Sequence, residues 1–167
     1  MEQLAPMATA MKIREADLSS PELQGFLAAH LEEMTPAVPA SSQHALGPGE
    51  FSAPGVRLWE GRLDGLFAGT VALRRIGVGQ VELKTMRIEP ALRGRGLARE
   101  LLEFVLEKAR ESHEMTVFLE TGAADHFAPA RGLYASAGFI KCGPYGTFDD
   151  DPHSVFMRLD LGAEAYS

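Results

Sequence analysis

The residues with the clearest chemical content form one short run, Arg93-Gly94-Arg95-Gly96-Leu97-Ala98, with Arg99 directly after it. Small residues there let the backbone approach a ligand closely. The run opens a helical pattern, because Leu97, Leu101, Leu102, Val105, Leu106 and Ala109 recur at helical spacing. The first-turn N–H groups of a helix have no intrahelical partner, and with the helix dipole they favour an anion. Three arginines add positive charge in a chain that is otherwise acidic. The chemistry is that of a phosphate or pyrophosphate cradle. The same residues also suit a plain solvated helix start, with the glycines used for tight packing.

Two nucleotide-binding alternatives fail on single positions. A P-loop needs Gly-Lys-Ser/Thr, whereas Gly96 is followed by Leu97 and Ala98. A dinucleotide fingerprint needs a third small residue where this chain has Arg99, and it usually opens the first strand-helix unit. Other chemistries have little support. The histidines His30, His44, His113, His126 and His153 show neither His-x-His nor i, i+4 spacing, so no metal site is expected. No Gly-x-Ser-x-Gly occurs, and the lone Cys142 gives no internal disulfide and no argument for a Cys-His nucleophile.

The elements that must position this loop follow from the hydrophobic pattern. Residues 12–16 read as a first strand. Ser20-Pro21 opens a helix, with Leu23, Phe26, Leu27, Leu31 and Met34 on one face. Residues 35–55, rich in Pro, Ser and Gly, read as a long loop with room for one short helix. Strands at 56–60, 66–74 and 81–88, separated by turn residues, make an antiparallel meander. The glycine-arginine run and its helix follow, then a strand at 116–120 and a helix over 128–137. Last come strands at 139–141 and 155–159. A strand-helix-strand step inside this order implies a right-handed crossover in a mixed sheet.

The chain has 167 residues, the size of one domain able to bury a core without disulfides or a structural metal. Its hydrophobic share of 46% and charged share of 23% are those of a soluble globular protein. The reading is a single domain over residues 11–162, with loose tails at 1–10 and 163–167. No run has the roughly 18 apolar residues that span a bilayer, and the N-terminus lacks the basic and apolar regions of a secretory signal. A cytoplasmic location is therefore expected, and the single cysteine fits a reducing compartment. Net charge is −7, which disfavours nucleic acid and anionic membranes as partners.

At this point the sequence resembles the GNAT family of N-acetyltransferases. That family's acyl-CoA loop reads Arg/Gln-x-x-Gly-x-Gly/Ala, matched by Arg93, Gly96 and Ala98. Glu82-Leu-Lys-Thr-Met-Arg-Ile88 followed by Glu89-Pro90 looks like the family's fourth strand. Ala130-Arg-Gly-Leu-Tyr134-Ala-Ser-Ala-Gly138-Phe139 is similar to its late Ala-x-x-Leu-Tyr-x-x-x-Gly-Phe segment. The three motifs lie in order over residues 81–140. His30-Leu31, Met34, Ser42, His44-Ala45-Leu46, Leu119-Glu-Thr-Gly122, Phe127-x-Pro-Ala-Arg131 and Asp151-Pro152-x-Ser154-Val155-Phe156-Met157 further resemble a bacterial single-domain group with no assigned acceptor. One departure is Phe127, where many members carry Asn.

The resemblance implies an α/β (α+β) fold, a mixed, mostly antiparallel sheet of about six to seven strands with helices on both faces. It implies acetyl-CoA as cosubstrate and no metal. The cofactor-binding residues it implies are Met86, Arg87, Ile88, Arg93, Gly94, Arg95, Gly96, Leu97, Ala98, Arg131 and Tyr134. The strand near Met86 is expected to splay from the strand at 116–120, exposing N–H and C=O groups to the pantetheine amides. Tyr134 falls at the family's general-acid position, where a phenol can protonate the departing thiolate. Glu82, at the start of the third meander strand where the family often keeps a carboxylate, is the expected base, with Glu120, at the end of the adjacent strand, as a second candidate; the plain alternative for either is a solvated strand-end charge. His30, Glu33, His44 and Glu120 are expected around the acceptor, with segment 145–153 as a further wall.

The function this implies is direct transfer of acetyl from acetyl-CoA to the amine of a small molecule, by a monomer or homodimer. The alternative is an acyl-CoA-binding sensor that has lost catalysis. Tyr134 and Glu82 together favour the enzyme.

Overall fold

The computed structural model describes residues 11–34 and 48–162. The tails expected at 1–10 and 163–167, and His44 with most of the long loop, lie outside the described residues. Strand β1 (Lys12–Glu15) leads into helix α1 (Pro21–Met34), and a 3-10 turn follows at Pro48–Ser52. The meander is β2 (Val56–Leu63), β3 (Leu66–Gly77) and β4 (Gln80–Ile88). Then come α2 (Leu97–Glu111), β5 (Thr116–Gly122), α3 (Ala128–Ser136), β6 (Ile140–Cys142) and β7 (Ser154–Asp160). The strands form one seven-stranded sheet in the order β1-β2-β3-β4-β5-β7-β6. Only β4 and β5 are parallel neighbours, as the crossover through α2 requires.

Helices cover both faces, as expected. On one face α2 buries Leu97, Leu101, Leu102, Val105, Leu106 and Ala109 against the sheet's Val71, Leu73, Val81, Leu83, Val117 and Leu119. Each of the leucine and valine side chains contributes about 1.5–3 kcal/mol when fully buried. Tyr134 and Phe139, from α3 and the turn after it, join the same core. On the opposite face α1 packs Leu23 against Phe51, Leu58 and Ala72. The start of α1 is capped as its sequence suggests, with the Ser20 hydroxyl accepting from the Leu23 N–H at 3.4 Å.

Strands β2, β3, β5, β6 and β7 run past their expected ends. β2 continues through Glu60, which is fully buried yet charged. Arg14 and Arg62 hold its Oε2 at 3.1 and 2.9 Å, so a strand interior tolerates it. β5 continues to Gly122, where an added Cβ would collide with the Phe127 ring. Among the described residues no helix is long and apolar enough to cross a membrane.

Candidate active site

The site begins where two strands part. β4 and β5 pair only at Gln80–Thr116, Val81–Val117 and Glu82–Phe118. Beyond these pairs β4 stays bound to β3 as far as Ile88, and β5 stays bound to β7 as far as Gly122. Their facing edges are therefore left without a ladder. A bulge lies in the parting stretch. The β3–β4 register shifts between Thr70 and Ala72, and Thr85 takes φ +56°, a left-handed backbone that is costly for a β-branched residue. The Thr70 hydroxyl donates to the Thr85 carbonyl at 2.8 Å and holds the bulge.

A cavity of about 600 Å³ fills the gap. Its walls include residues 83–88 of β4, residues 119–122 of β5, the Gly94–Arg99 turn, and Tyr134 of α3. Gly94 and Gly96 have φ +84° and +80°, and a Cβ on either would meet no protein atom within 4 Å. Among the described residues no backbone N–H from Gly96 to Arg99 finds an acceptor, and Glu100 is the first to do so, on the Gly96 carbonyl at 3.2 Å. Free amides, a helix start and Arg99 could together hold an anion.

Tyr134 lies on the cavity wall while only 6% exposed. Burial pushes its phenol well above the ordinary range, so it holds its proton. Across the gap, Glu120 lines the cavity, and the Ser154 hydroxyl donates to it at 2.8 Å. Ser154, part of the 151–157 sequence motif, is brought beside Glu120 by the β5–β7 pairing, which sets Gly122 opposite Ser154.

Glu82 is fully buried and does not line the cavity, so the solvated-charge alternative does not hold for it. Strand alternation turns it to the α1 face, beneath the β6–β7 connection. There Tyr145 donates to it at 2.6 Å, Arg74 at 2.9 Å, and Lys84 lies 3.5 Å away. Burial, then the Glu82 charge, drives the Tyr145 phenol upward, so this bond is a fixed donor to a carboxylate. Lys84 itself reaches the cavity wall, which sequence reasoning missed. The 145–153 segment also departs from expectation. None of it lines the main cavity; Tyr145, Thr147 and Phe148 instead border a smaller hollow of about 330 Å³ with Arg74 and Arg75.

The α1 side of the cavity carries His30, Glu33 and Arg87. Glu33 receives Arg87 Nε at 3.0 Å and Arg93 Nη2 at 2.9 and 3.0 Å on its two oxygens. Burial raises the Glu33 carboxyl, but the hydrogen bonds from Arg93 and Arg87 outweigh it and bring it down to about 2. Arg93, expected beside a pyrophosphate, is thus turned toward α1, with its Nε on the Ile88 carbonyl at 3.1 Å. Burial, helped by the Arg87 charge, lowers His30 to about 4, so its ring is neutral. Arg131 is a second departure. Its Nη1 donates to the carbonyls of Gly122 and Ala124, and it is absent from the cavity wall. Arg95 is exposed and likewise off the wall. Met86, Ile88, Leu97 and Ala98 are on it, and so is Phe127. Among the described residues no cluster of His, Cys, Asp and Glu is placed to hold a metal.

This arrangement has relatives. The model of the acetyltransferase (GNAT) family matches residues 21–139. The uncharacterized N-acetyltransferase YsnE of Bacillus subtilis is 34% identical over 151 residues, covering 90% of this chain and all of that protein. An IAA acetyltransferase of Azospirillum brasilense is 34% identical over 125 residues, covering 74% of this chain and 80% of its own. A Klebsiella pneumoniae structure described as an acyl-CoA N-acyltransferase superposes with a TM-score of 0.74 at 28% identity, over 91% of this chain and 98% of the other. The parted strands and the glycine turn fall inside the matched region, and so does Tyr134; the chain belongs to the acetyltransferase (GNAT) family and is an acetyl-CoA-dependent acyltransferase.

Proposed function

We propose that the protein moves the acetyl group of acetyl-CoA directly to the amine of a small-molecule acceptor. One observation carries this reading: a proton donor and a carboxylate, Tyr134 and Glu120, line the same cavity, whose wall also includes an anion cradle. The cavity suits the donor. Amides of Gly96 to Arg99 and the Arg99 side chain would take the pyrophosphate. The unladdered edges at residues 83–88 and 119–122 would take the pantetheine amides. Acetyl-CoA supplies, when bound, a thioester carbon open to attack and a thiol that can leave.

The chain's own residues handle the protons. An acceptor arrives as an ammonium and must lose a proton before it can attack. Glu120 would accept it; the reading is supported by its position on the cavity wall, whereas Glu82 is enclosed by Tyr145, Arg74 and Lys84. Glu82 acts through its neighbours, as the buried anion that fixes Lys84 and the Tyr145 loop. Tyr134 keeps its proton until a sulfur leaves, since burial opposes the phenolate.

The test is a thiol-release assay with acetyl-CoA and a panel of free amines and peptides. Turnover that depends on a free amine is expected, and Glu120→Gln should lower kcat by about 10²-fold or more, the scale of a positioned base. Tight acetyl-CoA binding without turnover on any acceptor would establish a sensor instead. Turnover on peptides alone would move the acceptor to proteins.

A further inference from the structure

The cluster on the α1 wall holds one carboxylate too few for its cations. Arg87 and Arg93 bring two positive charges to the single Glu33, and His30 is neutral. Arg87 is held rigidly: its side chain is 7% exposed, and its guanidinium lies 4.6 Å from the Phe26 ring centre. Its only side-chain hydrogen bond among the described residues is Nε to Glu33. The planar fork therefore has donor capacity left over on a residue that lines the cavity.

Glu33 is an odd permanent partner. It stands in the last turn of α1, where the helix dipole disfavours an anion, and that turn carries no basic residue. Its side chain is 28% exposed, so the pair with Arg93 is partly hydrated and open to exchange. One turn earlier on the same helix, His30 also lines the cavity, and its buried Nδ1 has no hydrogen-bond partner among the described residues. A buried polar atom without a partner is uncommon in a folded chain and calls for an explanation. A polar ligand in the cavity supplies one.

We propose that the acceptor is an α-amino acid, whose carboxylate takes the place of the Glu33 carboxylate on the Arg87–Arg93 pair. The inference rests on the small-amine reading above and narrows it. Glu33 is then a built-in stand-in that keeps the arginine pair neutralised until the acceptor arrives. His30 completes its missing bond with the acceptor's polar head. Glu120, also on the cavity wall, receives the ammonium end. A polyamine fits poorly, since its second ammonium would meet the arginines. A peptide N-terminus fits poorly too, because its carboxyl group is tied up in an amide.

The experiment compares each amino acid with its carboxamide and its decarboxylated amine in the thiol-release assay. The expected result is a kcat/KM at least tenfold higher for the acid than for its carboxamide. Arg87→Gln should shrink that acid-to-amide ratio at least tenfold, while Glu33→Gln should lower KM for the acid by freeing the arginines. Arg87→Lys, which keeps the charge without the fork, serves if Arg87→Gln does not fold, and it should also reduce the ratio. Equal use of acid and amide would overturn the proposal and leave the small-amine reading standing. An unchanged ratio in Arg87→Gln with a raised KM for acetyl-CoA would assign the pair to the phosphates and also overturn it. Thiol release with no free amine of any kind, despite calorimetric binding of acetyl-CoA, would remove both readings together.

Discussion

Gly96→Val separates what the glycine turn does for the fold from what it does for the ligand. Gly96 has φ +80°, and its missing Cβ would touch no protein atom within 4 Å. The cost to folding is therefore backbone strain without a clash, about 1–2 kcal/mol for a side chain in the left-handed region. In a domain of this size that lowers Tm by about 2–8 °C. The cost to binding is separate. Gly96 lines the cavity, so an added side chain is expected to crowd a ligand held on the neighbouring amides. Losing one hydrogen bond to a charged phosphate costs about 1.5–3 kcal/mol. Each 1.4 kcal/mol is about tenfold in Kd, so the Kd for CoA should rise about 10- to 150-fold. Gly132→Ala is the control, since Gly132 lies inside α3, off the cavity wall, with open space at its Cβ. It should stabilise the fold by about 0.5–1 kcal/mol and leave CoA binding alone. Calorimetric titration with CoA, alongside thermal melts, reads both quantities. A folded Gly96→Val protein with wild-type CoA affinity would refute the cradle.

Three further outcomes follow from the same geometry. Tyr134→Phe keeps the ring in the core and removes only the hydroxyl, so kcat should fall about 10²-fold or more with little change in the acetyl-CoA KM; an unchanged kcat under rate-limiting chemistry would leave Tyr134 a packing residue. Tyr145→Phe strips a 2.6 Å donor from the fully buried Glu82, and denaturant unfolding should show a loss of about 1.5–3 kcal/mol. Acid should destabilise the fold in two windows. His30 is lowered from 6.5 to about 4, so the unfolded chain takes up its proton first and stability falls between those values; Glu33, lowered from 4.5 to about 2, adds a second loss as pH drops through that range. His30→Gln should abolish the first window in pH-dependent melts while leaving the second, and a wild-type curve flat from pH 6.5 to 4.5 would contradict the buried neutral imidazole.

Local physics made much of this protein legible in its sequence. The α2 stripe from Leu97 to Ala109 has a helical period, so the helix and its buried face could be read directly, and all six residues are buried. Gly94 and Gly96 stand before that stripe, and both line the cavity. Turn residues such as Asp64-Gly65 marked the meander, and the alternation of Val81 and Leu83 marked its inner face. These features depend on neighbours a few residues apart, and sequence order carries such information.

Tertiary structure alone decided the charges. Arg93 meets Glu33 across 60 residues, and Arg87 meets it across 54. No spacing rule connects such pairs, because their meeting depends on α1 lying over the parted strands. Alternation could place Glu82 opposite the core face, but exposure depended on Tyr145 arriving from 63 residues away to roof it. Arg131 looked like a ligand contact in its motif, yet the extension of β5 to Gly122 brought a carbonyl within reach of its guanidinium. The Thr85 bulge left no signal, since a β-branched residue in a strand pattern gives no warning of a positive φ. An ionisable side chain binds whichever opposite charge or carbonyl the fold brings near it, so its role stays open until the long-range packing is known.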